Sequence, residues 1–170
     1  MNKNRSSVSH KKLISSPVDY INELPLLPYK LQNSLASHEL FKPERIKRLL
    51  HSLPRQYVEV RQIKCLAEDD GSYKRPEKDM QIDPVYAFER LEEDSNWMVL
   101  HSSWLYDTGY FDLMHDYVNE MRQNVGEMLG PLEDIGCWMF LSSGKGVVHF
   151  HADPDQSFLN QIRGSKTVYT

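Results

Sequence analysis

Only two cysteines, Cys65 and Cys137, occur among the 170 residues, and they form no Cys-x-x-Cys pair. That excludes a zinc ribbon and a disulfide framework, fits a reducing compartment, and leaves both thiols expected in the core. The chain also lacks the run of about 18 apolar residues that a transmembrane helix needs, so no membrane partner is expected. Residues 1–16 carry Lys3, Arg5, Lys11 and Lys12 but no apolar stretch of the kind a secretory signal requires. A cytoplasmic location is therefore expected. Positive charge is not in excess either: 20 Lys and Arg stand against 24 Asp and Glu, a net charge of −4. No whole-chain footprint for nucleic acid follows from that balance, and no nucleic-acid partner is expected. Internal repeats are absent.

What remains is a composition, 40 % hydrophobic and 26 % charged, sufficient for one domain with a real core. Residues 1–16 read as a flexible tail; a short basic arm is the sharper alternative, which nothing else in the chain supports. A mainly helical region with short strands is expected over 17–130. Within it, the prolines of Leu24-Pro-Leu-Leu-Pro28 force extended backbone. Pro43 suits a first helical position, and Ile46, Leu49, Leu50 and Leu53 repeat at i, i+3, i+4, i+7, which predicts an amphipathic helix ending at Pro54.

Period-two alternation over 57–63 predicts a half-buried strand, and the charged stretch 67–81 a solvated loop. Asp83-Pro84 supplies a cap and first turn for a helix carrying Val85, Phe88 and Leu91, and 97–100 reads as a strand. Tyr110, Met114, Tyr117, Met121, Val125 and Met128 then recur at helical spacing, predicting a core-facing helix over 109–129 that Gly130-Pro131 stops. Beyond Pro131 the texture becomes short β segments, expected at 135–141, 147–151, 157–162 and 166–169. Helices first and strands last is an α+β order.

His149, His151 and Asp153 alternate, so an extended backbone would place them on one face. Imidazole plus carboxylate suits Fe(II), Mn(II) or Zn(II), and two histidines with one carboxylate and open positions mark non-haem iron oxygenases. The longer run His151-Ala-Asp153-Pro-Asp-Gln-Ser157-Phe158-Leu-Asn-Gln161-Ile-Arg-Gly164-Ser-Lys166 resembles the JmjC and cupin-like Fe(II)- and 2-oxoglutarate-dependent oxygenases. The matching positions are His151, Asp153, Phe158, Gln161, Gly164 and Lys166, without a gap.

The resemblance implies that His151 and Asp153 are catalytic metal ligands. Lys166, on the following strand, would bind the distal carboxylate of 2-oxoglutarate, Ser157 would lie near that co-substrate, Gly164 would make the tight turn between strands, and Gln161 would be structural. Ser157 departs from the pattern, in which asparagine is usual. The implied partners are 2-oxoglutarate, O2 and a protein or small-molecule substrate, and the implied reaction is hydroxylation or demethylation. The implied fold is an N-terminal helical region leading into a cupin-type double-stranded β-helix, or jelly roll, begun over 131–170. Such a fold needs about eight strands, and the family's third ligand is a later histidine. His10, His38, His51, His101 and His115 all precede the motif, so the chain is expected to hold an incomplete jelly roll and site.

His149-Phe-His151 is also similar to the His-x-His of metal-binding cupins, but the HxD register is preferred, leaving His149 as a neighbour. Trp138 and Phe140, on one face of the preceding strand, are core residues or pocket lining. The competing functional expectations are a non-catalytic cupin-like binding module and an inactive fragment.

Overall fold

Pro43 opens α1 (Pro43–Ser52) at its first turn, where its missing N–H costs nothing. The helix turns Ile46, Leu49 and Leu50 inward, and Leu53, just past its end, joins them. Each such side chain contributes roughly 1.5–3 kcal/mol on burial. The computed structural model describes residues 12–15, 32–62, 80–125, 131, 134–144 and 157–168.

The α1 stripe packs on one face of a three-stranded antiparallel sheet, β3 (Val58–Gln62), β4 (Asn96–Leu100) and β5 (Met139–Ser142), in that spatial order. Alternation along β3 buries Val58 and Val60 and leaves Glu59 and Arg61 on the opposite face. β4 contributes Met98 and Leu100 to the core, and β5 contributes Met139.

Between β3 and β4 stands α2 (Pro84–Glu89), capped by the Asp83 carboxylate, which accepts from the Tyr86 N–H at 2.8 Å. Ala87 is fully buried, while Val85, Phe88 and Leu91 pack partly buried against the same core. Asn96 at the start of β4 is buried, and its side-chain amide donates to the Ala87 carbonyl at 3.1 Å, tying sheet to helix.

After β4 a short α3 (Ser103–Tyr106) precedes the long α4 (Thr108–Val125). α4 starts from Asp107, whose Oδ1 accepts from the Gly109 N–H at 2.9 Å while its other oxygen pairs with Arg45 of α1. One turn on, the buried Tyr110 donates from its hydroxyl to the Leu40 carbonyl at 2.6 Å. Burial pushes the Tyr110 phenol up to about 12. The predicted helical stripe is therefore partly core: Tyr110 and Met121 are buried, whereas Met114 and Tyr117 are half-buried.

Ile14, within the segment expected to be a tail, is buried and belongs to β1 (Ile14–Ser15), which pairs antiparallel with β2 (Gln32–Asn33). The carboxylate of Glu120 on α4 accepts from the Leu13 and Ile14 N–H groups at 2.9 and 2.7 Å. Two backbone donors on one carboxylate fasten this pair of short strands to the helix.

Three expectations need correction. β5 begins at Met139, so residues 135–138 precede it without strand structure. Residues 157–162 and 166–168 are not strands: most of their side chains are exposed, and no strand among the described residues pairs with them. Cys137 is exposed rather than in the core; Cys65 lies outside the described residues. The fold is α+β among the described residues, with helices against one side of a small antiparallel sheet. No helix among them is long and apolar enough to cross a membrane.

Candidate functional site

β5 delivers the chain to Ser143 and Gly144, and the candidate metal ligands follow in sequence. Ser143 is buried at that exit and its N–H donates to the Asn96 carbonyl at 3.1 Å, extending the β4–β5 ladder by one bond. His149, His151 and Asp153 lie outside the described residues. Among the described residues, no three His, Cys, Asp or Glu side chains come together in a way that could hold a metal. The donor set that His151 and Asp153 provide, one imidazole and one carboxylate, fits a divalent iron by its chemistry.

Ser157 and Lys166 are described, both exposed, on the segment 157–168. Gly164 takes a positive φ of 71°, a left-handed bend, although the strands it was expected to join are absent on either side of it among the described residues. Gln161 uses its side-chain amide locally, donating to the Arg163 carbonyl at 2.6 Å just before that bend. The segment meets α4 where the Tyr117 hydroxyl donates to Asn160 Oδ1 at 3.0 Å.

The sheet face turned away from α1 and α2 is of a different kind. The register sets Glu59 opposite Val99 and Val99 opposite Phe140, so these share one face; Arg61 pairs likewise with Trp97. Trp97 and Phe140 stack with ring centroids 6.1 Å apart, and Trp138 meets the His101 ring edge-on at 5.0 Å. The Arg61 guanidinium lies 5.4 Å from the Trp97 ring centroid, within cation–π range. Trp138 is 60 % and Phe140 50 % exposed, too much for either to be a core residue among the described residues. The two share a face, as their alternation predicted.

That face also holds a pair which sequence reasoning missed. His101 Nε2 and Glu59 Oε1 lie 2.9 Å apart, while the other Glu59 oxygen accepts from Arg61 at 2.5 Å. Partners 42 positions apart leave no local signal. The only hint was that Glu59 falls on the polar phase of a strand whose other phase is Val58 and Val60. A carboxylate fixing an imidazole beside an exposed tryptophan can hold one tautomer and present the ring's other nitrogen to a ligand.

Comparison with protein-family models, with curated proteins and with solved structures finds no match for this chain.

Proposed function

We propose that this chain belongs to a JmjC/cupin-like Fe(II)- and 2-oxoglutarate-dependent oxygenase, of hydroxylase or demethylase type, and carries two of its metal ligands. The observation that carries the reading is the ungapped run from His151 to Lys166, in which metal-ligating residues, a turn glycine and a lysine recur at the family's spacing. Support comes from what precedes it in the sequence: an antiparallel sheet, covered on one face by helices and aromatic on the other, whose strand β5 ends at Ser142, ahead of His151 in the chain. That arrangement suits the opening of a jelly roll, whose second sheet would close over the free face.

In this reading His151 and Asp153 would be two of the iron's ligands. Bound iron, with O2 and 2-oxoglutarate, supplies the oxidation of a substrate C–H bond. The protein's own residues bind, orient and exclude water. Lys166, a compact cation with three donors, pairs with the distal carboxylate of 2-oxoglutarate. Ser157 contributes a hydroxyl where the family's amide would stand, and Trp138 and Phe140 form an apolar wall. Substrates in this class include proteins and small molecules.

The test is anaerobic titration of the full natural protein with Fe(II) and 2-oxoglutarate, followed by the visible charge-transfer absorption of the metal chelate. His151→Ala and Asp153→Ala should abolish the signal, whereas His149→Ala should leave it. Lys166→Ala should weaken 2-oxoglutarate alone by about tenfold or more, as loss of a charged hydrogen bond does. A chelate that survives His151→Ala overturns the assignment. Metal binding without 2-oxoglutarate turnover would instead identify a cupin-like binding module.

A further inference from the structure

We propose that Tyr117 is a positioning residue for the co-substrate end of this site, acting through Asn160 on the segment that carries Ser157 and Lys166. The inference rests on the oxygenase reading. Residues 157–168 form no strand or helix among the described residues, and a side-chain hydrogen bond from a helix is one means of fixing such a segment. Nearly all of those side chains are exposed; Asn160 and Ile162 are half-buried. Asn160 accepts from the Tyr117 hydroxyl at 3.0 Å, a partly buried bond between residues 43 positions apart.

The two ends of that bond differ in rigidity. Tyr117 stands on α4, which is fixed at its start by Asp107 and Arg45, at Tyr110 by the Leu40 carbonyl, and at Glu120 by the backbone of β1. Asn160 sits in an irregular segment, with its amide directed back to the Phe158 carbonyl at 3.4 Å. Gln161 and the left-handed Gly164 then shape the path to Lys166. A lysine ammonium on a four-carbon stem finds an anion reproducibly only where its backbone is held, and a helix holds it better than a loop. The phenol thus transmits the rigidity of α4 to the lysine that the anionic co-substrate would meet.

The experiment compares wild type, Tyr117→Phe, Asn160→Ala and the double variant of the full natural protein, with Tyr106→Phe as a control for loss of an exposed phenol. Two quantities are read: the rate of tryptic cleavage after Arg163 and Lys166 in the folded protein, and the dissociation constant of 2-oxoglutarate with Fe(II) bound. Each single variant should speed cleavage and raise that constant by about threefold to fivefold, the worth of one hydrogen bond. The double variant should add nothing further, and Fe(II) affinity should stay unchanged. Unchanged 2-oxoglutarate affinity in Tyr117→Phe, or strictly additive effects, overturns the proposal. Should wild type itself fail to bind 2-oxoglutarate, the oxygenase reading falls, and the role at Lys166 falls with it. Faster cleavage in the variants would then report only a structural clamp.

Discussion

Asp107 joins two helices with one carboxylate, so its removal should cost more than either bond alone. Its Oδ1 caps α4 through the Gly109 N–H at 2.9 Å, and Oδ2 pairs with the Arg45 guanidinium of α1, the two side chains being only 14 % and 19 % exposed. Donating to Asp107 raises the Arg45 pKa, and an arginine guanidinium stays charged even without its partner. Asp107→Ala removes a cap worth about 1 kcal/mol. It also leaves a largely buried cation unpaired, for which about 2 kcal/mol is a fair share of the 3–5 seen in full burial. The sum, about 3 kcal/mol, corresponds to a melting point lower by roughly 6–12 °C in a domain of this size. Asp107→Asn keeps one acceptor oxygen, enough for the Gly109 cap, but turns an amide nitrogen toward Arg45 and loses the ion pair, so it should cost about 2 kcal/mol. Urea denaturation of the three proteins measures both differences. A loss below about 1 kcal/mol in Asp107→Ala, or equal losses in both variants, would refute the argument that one residue serves cap and ion pair together.

Tyr110 should make the fold alkali-sensitive. Its phenol, ordinarily near 10, is held at about 12 by burial, so the stability it contributes is intact below pH 10 and lost as pH rises to 12. About 2–3 kcal/mol should disappear over that window, visible in urea midpoints, and Tyr110→Phe should flatten the slope there. Gly109→Ala sets helix propensity against space. A Cβ there would lie 3.0 Å from Leu40 Cδ2 and 3.2 Å from the capping Asp107 Oδ1. Crowding of about 1–3 kcal/mol should outweigh the gain of about 1 kcal/mol from replacing a helical glycine, giving a less stable protein. A higher melting point in this variant would mean that Leu40 and the cap move aside freely.

Several elements were legible because their signals are local. The cap and first-turn pair Asp83-Pro84, the stripe Ile46, Leu49, Leu50, Leu53, and the alternation through Val58 and Val60 each place a residue by neighbours within a few positions, and the structure realises all three. The short α3 went unread, since four residues hold too little periodicity. The strand expected over 157–162 misled for a related reason: Phe158, Leu159 and Ile162 have β-like composition, but composition cannot supply a neighbouring strand. Of the candidate site, only a pattern of residue types at a spacing can be read in the sequence; Gly164 does adopt a left-handed φ, but without the flanking strands expected beside it. The surroundings were not legible.

The sequence by itself determined where α1 and α2 start and which faces α1 and β3 bury. Those properties depend on contacts between residues one to four positions apart, or on side-chain chemistry alone. Tertiary structure decided the rest. It buried Ile14 under Glu120, set His101 against Glu59 beside Trp138, and brought Tyr117 to Asn160. Each of these joins residues more than forty positions apart, and each follows from how helices and strands pack around a shared core rather than from any pattern along the chain.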